Sequence, residues 1–113
     1  MTMKITNYED SMIIQKRSEI IFVSFLDILY IERFGNSTII HTMDNEIVVR
    51  ISLHKLFEFL PSFFLRSHKS FIVNTKKIKK MKNVGKESNA YEVFFSNDKS
   101  ALLTKENITL FIQ

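Results

Sequence analysis

Residues 64–74 read Phe64-Leu65-Arg66-Ser67-His68-Lys69-Ser70-Phe71-Ile72-Val73-Asn74, and the alternation of apolar and polar blocks in this stretch governs how the rest of the chain is read. Phe63, Phe64 and Leu65 anchor one end in a core; Phe71, Ile72 and Val73 anchor the other. Aromatic and branched residues on both sides favour two strands pinned where they enter and leave a turn. Arg66, His68, Lys69 and Ser70 are then held out on a stiff β platform. Cations suit phosphate oxygens, and short hydroxyl, imidazole or amide groups suit backbone and base edges of a nucleic acid. The same pattern also describes a basic β-turn whose side chains only bond their own backbone. Ser67 and His68 are adjacent, so on a strand they point to opposite faces and do not form an acid–base pair.

Outward from this stretch, short β-branched and aromatic runs recur at residues 12–16, 19–24, 28–34, 38–43, 46–51, 63–67, 71–73, 78–81, 91–95 and 101–103. Many short strands at such spacing indicate an all-β domain. With only two Gly and one Pro, Asp44-Asn45 and Asn97-Asp98 are expected to supply turns, since Asn and Asp tolerate positive φ. Ile47-Val48-Val49 is apolar on both strand faces, which suggests strands covered on two sides and more than one sheet. One segment breaks the pattern. Ser52 is placed to cap a short helix over 53–60, in which Leu53, Leu56, Phe57 and Leu60 fall at helical spacing before Pro61 stops it. Thr104 is placed to cap a second helical turn over 105–112, with Ile108, Phe111 and Ile112 inward.

The length of 113 residues fits one domain, 1–113, with its core over about 12–112. Eleven Phe and three Tyr, with many branched aliphatics, supply the core and exclude a disordered chain. The net charge of +4 is unevenly spread: residues 1–61 hold six Lys/Arg against eight Asp/Glu, and residues 62–113 hold ten against four. Arg66, Lys69, Lys76, Lys77, Lys79, Lys80 and Lys82 form a run without an acidic residue. A one-sided positive field suits a polyanion, and equally a solvated lysine face. On a strand, alternate lysines face away from any one surface, so residues 76–82 are left out of the contact set.

Chemistry of other kinds finds no footing. Cysteines are absent, and His41, His54 and His68 lie on different elements with no carboxylate at ligand spacing, so neither a metal nor another cofactor is expected. His41 is read as a half-buried packing residue and His54 as exposed. No nucleophile elbow or phosphate-cradling glycine loop occurs, so an enzyme is not expected. No apolar run approaches a membrane span, and the first ten residues lack a signal-peptide pattern, so the expected location is the cytoplasm.

Residues Phe64, Arg66, His68, Lys69, Ser70, Phe71, Ile72, Val73 and Asn74 stand in register with F-x-R-x-H-(R/K/N)-S-(F/Y)-(I/L/V)-V-N, and in this the chain resembles the LytTR-type DNA-binding domain. Asp27-Ile28-Leu29-Tyr30-Ile31-Glu32 resembles that family's D-I-x-Y-I-E segment, residues 53–60 its short helix, and Ile78 its isoleucine after V-N. The likeness covers about residues 12–112. It implies an elongated β-β-β sandwich of ten strands in three antiparallel sheets with one or two short helices. It also implies sequence-specific binding of duplex DNA by a bacterial transcription regulator, through loops rather than a recognition helix.

By this resemblance the DNA-facing residues are Asn36, Ser37 and Thr38 in a first loop, Arg66, His68, Lys69 and Ser70 in a second, and Thr104 and Lys105 in a third. Lys105 stands where the family often has Arg, and Lys69 replaces the commoner Arg; a lysine offers a point charge where arginine makes two parallel bonds to guanine. Such domains usually follow a phosphorylatable receiver. None fits in 113 residues, so an excised output domain or a free-standing regulator is expected. Alone it would be a monomer, and on promoter direct repeats a homodimer formed there or through the missing receiver. Two other readings stay open: a β-domain stacking RNA or single strands on exposed aromatics, with Phe34 and Phe94 the candidates, and a protein- or membrane-surface module using the lysine run.

Overall fold

A computed structural model describes residues 3–85 and 87–112 of the chain. Strands β1 (Lys4–Tyr8), β2 (Ser11–Gln15) and β3 (Ile20–Ser24) form one antiparallel meander. Next come β4 (Ile28–Phe34), β5 (Ser37–Thr42), β6 (Glu46–Val49), helix α1 (Leu53–Phe57), β7 (Phe64–His68) and β8 (Phe71–Asn74). These five strands make a central sheet in the order β6-β5-β4-β8-β7. The chain ends in β9 (Lys80–Asn83), β10 (Ala90–Phe94) and β11 (Ser100–Thr104), a third sheet ordered β11-β10-β9, and a 3-10 segment, Lys105–Leu110. All three sheets are antiparallel, and the body is elongated, 47 × 27 × 23 Å.

Each face of the central sheet is covered by a different partner. On one side Ile28, Ile31, Ile40, Phe64 and Ile72 pack against Ile5, Met12 and Ile14 of the first sheet and against Leu53 and Leu56 of α1. On the other, Leu29, Tyr30 and Val73 meet Val93, Ala101 and Leu103 of the third, and Phe95 just after β10. Two-sided burial is why Ile28-Leu29-Tyr30-Ile31 is apolar without alternation. A register shift between Ile28 and Tyr30 helps distribute these neighbours between the two cores. At Ile47-Val48-Val49 the double covering is not realised: Val48 is 48% exposed, since β6 is an edge strand.

Local chemistry explains several element ends. The Ser52 hydroxyl accepts from the Lys55 amide at 3.1 Å, capping α1 as its sequence predicts, although the helix closes at Phe57 rather than Leu60. Asp98 takes a positive φ of 66°, but the Asp44-Asn45 turn does not need one. There, Thr42 bonds the carbonyl of Asn45 through its amide at 2.9 Å and the side-chain oxygen of Asn45 through its hydroxyl at 2.6 Å. β1 is an eleventh strand, lying before the expected core; only Ile5 of its residues is buried, too little apolar signal for its sequence to announce it. Ile112 is 64% exposed, not inward. The C-terminal segment is 3-10 rather than α, and its three-residue repeat puts Ile108 and Phe111 on the packed side and carries Ile112 off it.

Candidate nucleic-acid interface

The β7–β8 hairpin carries most of the polar residues singled out above. Arg66 pairs with Ile72 and His68 with Phe71, so Ser67 is the extra residue of a β-bulge. The bulge sets Ser67 inward: it is fully buried, and its hydroxyl donates to the Leu102 carbonyl of β11 at 2.8 Å. The Ser67 carbonyl accepts from Nδ2 of Asn107 at 3.1 Å. One residue thus ties the hairpin both to β11 and to the C-terminal 3-10 segment.

Arg66 folds over the turn it precedes. Its Nε donates to the His68 carbonyl at 3.1 Å and its Nη2 to the Lys69 carbonyl at 2.7 Å. Two of five N–H groups brace the turn, which leaves three for an anion. Nδ1 of His68 accepts the Ser70 amide at 3.0 Å, and the ring meets Phe71 edge to face at 5.7 Å. An accepting Nδ1 assigns the proton of the neutral ring to Nε2. Burial, then the charges of Lys69 and Arg66, push this imidazole below its ordinary pKa of 6.5, so at neutral pH it is an uncharged donor. Lys69 is exposed and Ser70 half-buried.

The first loop lies beside this turn. Phe34 pairs with Ser37 across a two-residue connection, Gly35-Asn36, in which Gly35 takes the left-handed φ of 61° that suits glycine. Nε of Arg33 donates to the Gly35 carbonyl at 2.9 Å, and the Arg33 amide donates to the Ser70 carbonyl at 2.9 Å, joining the two turns. Asn36 is exposed and Ser37 half-buried. Thr38 departs from the expected contact set. It is fully buried, and its hydroxyl donates to the Ile51 carbonyl at 2.6 Å. One step along a strand reverses the side chain, so Ser37 and Thr38 cannot both face outward; Thr38 fastens the hairpin and presents no group to a ligand.

In the third segment the Lys105 amide donates to Asn89 O at 2.9 Å. Its Nζ lies 3.2 Å from the Gly85 carbonyl and 5.9 Å from the centre of the Tyr91 ring. Thr104 is half-buried and occupies the cap position, but its hydroxyl makes no capping bond. The Arg33–Ser70, Ser67–Leu102 and Asn107–Ser67 bonds therefore bring residues 36–37, 66–70 and 104–105 into one connected region. Asn107, Ser67 and Arg33, which hold it together, carry no sequence signal of that role, because each acts on a residue distant in the chain.

The remaining polar candidates have local explanations. His41 is buried, stacked on Tyr30 at 4.2 Å, with Nε2 2.6 Å from Glu32 and Nδ1 3.3 Å from Nζ of Lys99. Burial, then Glu32 and Glu46, push the Tyr30 phenol up to about 12. Among the described residues no group of three or more His, Cys, Asp or Glu is placed to hold a metal. His54 is exposed. Lys76 lies over Phe63 at 4.4 Å and Lys80 over Phe94 at 5.3 Å, while Met81 between Lys80 and Lys82 packs on the second core. No described helix is long and apolar enough to cross a membrane.

Comparison with known proteins follows the same lines. The chain is 34% identical over 107 residues to the transcriptional regulatory protein NatR of Bacillus subtilis (strain 168), covering 94% of this chain and 46% of NatR. It thus spans about half the length of that curated relative. The fold matches a solved LytTr DNA-binding domain from a Bacillus cereus protein described as a methyl-accepting/DNA response regulator, with a TM-score of 0.75 at 21% identity, over 90% of this chain and 93% of the other. Residues 18–113 match the LytTr DNA-binding domain family. That match takes in the β7–β8 hairpin and all three connections gathered around it, and the chain belongs to the LytTr DNA-binding domain family, as a DNA-binding domain rather than an enzyme.

Proposed function

We propose that this domain binds duplex DNA in a sequence-specific way as the output module of a bacterial transcription regulator. The observation that carries the reading is the linkage of three connections through Arg33, Ser67 and Asn107, which lets donors on all of them meet one duplex together. Arg66, Lys69 and Lys105 supply cations for phosphates, and Asn36, Ser37, His68, Ser70 and Thr104 supply short neutral groups for phosphate, sugar or base edges. Thr38 supports them from inside. The neutral His68 donates through Nε2 without the reorganisation that a charged ring would impose on the turn.

In the full regulator the domain works in the cytoplasm, on paired direct repeats occupied by a homodimer, while alone it is a monomer. Titration of a duplex bearing a site selected from a random library, at several salt concentrations, tests the reading. With roughly six phosphates neutralised, log affinity falls against log salt with a slope near −5. Retention of no duplex above random sequence would overturn it, and a single strand outcompeting the duplex would replace it with the stacking alternative.

A further inference from the structure

Phe34 stands out within this polar region. It is the last residue of β4, 68% exposed, beside Gly35-Asn36 and paired with Ser37. Among the described residues no aromatic or cationic group stacks on its ring, in contrast to Phe63 and Phe94, each covered by a lysine. Its backbone is fixed: the β4–β5 ladder holds it from one side, Arg33 braces the turn through Gly35, and the Arg33 amide ties the neighbouring residue to Ser70. A large apolar ring is therefore presented at the tip of the β4–β5 hairpin, beyond the last pairings of β4 with β8 (Glu32–Phe71) and of β5 with β6 (Thr38–Val49), among polar side chains with no part in a core.

The major groove, about 12 Å wide, admits a hairpin tip of this kind, and its base edges carry one apolar group, the C5-methyl of thymine. Wedging a ring between bases belongs to proteins that enter the minor groove and kink the duplex, whereas Asn36 and Ser37 beside Phe34 are short groups suited to base edges. We infer that Phe34 packs on a thymine methyl in the major groove and makes the domain select thymine at one position of its site. This deepens the duplex-DNA reading and rests on it. Phe34 is then a specificity-determining residue rather than an anchor for affinity in general.

The test uses a duplex site selected by the domain from a random library, resynthesised with each thymine in turn replaced by deoxyuridine, which removes only the methyl. At one position the substitution lowers affinity of the unaltered domain about fourfold, the value of one apolar carbon taken out of water. Phe34→Ala binds the parent site more weakly and is indifferent to deoxyuridine there, with an unchanged melting temperature because the ring is exposed. Retention of no duplex overturns the DNA reading together with this inference. Duplex binding in which no deoxyuridine matters, in which Phe34→Ala shows the same loss, or in which the selected site lacks thymine overturns this inference alone.

Discussion

Replacing Ser67 with alanine removes the bond that locks the β7–β8 hairpin onto β11 without touching any group that could reach DNA. Ser67 is fully buried, and its hydroxyl donates to the Leu102 carbonyl at 2.8 Å. A net intramolecular hydrogen bond contributes about 1 kcal/mol, and leaving its buried acceptor unmet raises the loss to about 1–2 kcal/mol. In a domain of this size that lowers the melting temperature by roughly 5–10 °C. The effect on DNA is indirect: residues 66–70 and 104–105 keep their side chains but lose one of the two hydrogen bonds through which Ser67 joins them, the other being Asn107 Nδ2 to Ser67 O. Re-ordering the loosened side chains at about 0.5–1.5 kcal/mol weakens binding roughly two- to tenfold. The salt slope stays as it was, because no phosphate contact is lost; Lys69→Ala, by contrast, makes it shallower by about 1. Fluorescence anisotropy on a labelled duplex, well below the melting point, measures both quantities. Unchanged affinity in a variant that melts as expected would refute the reasoning: the clamp would then stabilise the fold without positioning the interface.

Two further outcomes follow from the same geometry. Neutral His68 accepts the Ser70 amide, and its pKa is lowered by folding, so its contribution to stability is present above pH 6.5 and is lost as pH falls through the lowered folded value. Thermal melts from pH 7.5 down to 5 are expected to show the unaltered domain losing stability relative to His68→Gln, and parallel curves would remove His68 from the turn. Thr38→Val exchanges a buried hydroxyl for a methyl of similar shape and leaves the Ile51 carbonyl unmet. It costs about 1–2 kcal/mol of unfolding free energy in urea titration and leaves DNA affinity within about twofold, whereas a loss of tenfold or more would return Thr38 to the contact surface.

Much of this was legible because the decisive segments are governed by short-range chemistry. The 64–74 stretch is bounded by residues the fold buries, Phe64, Ile72 and Val73, and apolar anchors around a polar turn are a local pattern. Ser52 announces α1 because its cap reaches only three residues along the chain. What escaped depends on distant or fine geometry. Thr38 reads like its polar neighbour Ser37 until the strand register fixes which of the two faces inward. The Ser67–Leu102 bond spans 35 residues and the Asn107–Ser67 bond 40, separations over which sequence order says nothing about proximity. Composition does not separate an α-helix from a 3-10 segment, and it is their different turn length that carries Ile112 outward.

The motif by which the family is recognised is two sets of residues with separate duties. Asn74 at its end is fully buried; its Nδ2 donates to the carbonyls of Phe25 at 3.2 Å and Ile28 at 2.9 Å, and its Oδ1 accepts the Lys76 amide at 2.9 Å. Losing it would strand buried carbonyls whatever the DNA, so its identity answers to the fold. Phe64, Ile72 and Val73 are likewise interior, and even Arg66 spends two donors on its own turn. Under the proposed function, a motif so constituted fixes where the duplex docks and says little about which bases it selects. Selection falls to side chains whose backbone is fixed but whose identity the fold does not dictate. At the β4–β5 tip these are Phe34, Asn36 and Ser37. Exchanging those three between two relatives should move sequence preference with them, while exchanging the buried half of the motif should alter stability, and affinity through it, but not which sequence is preferred.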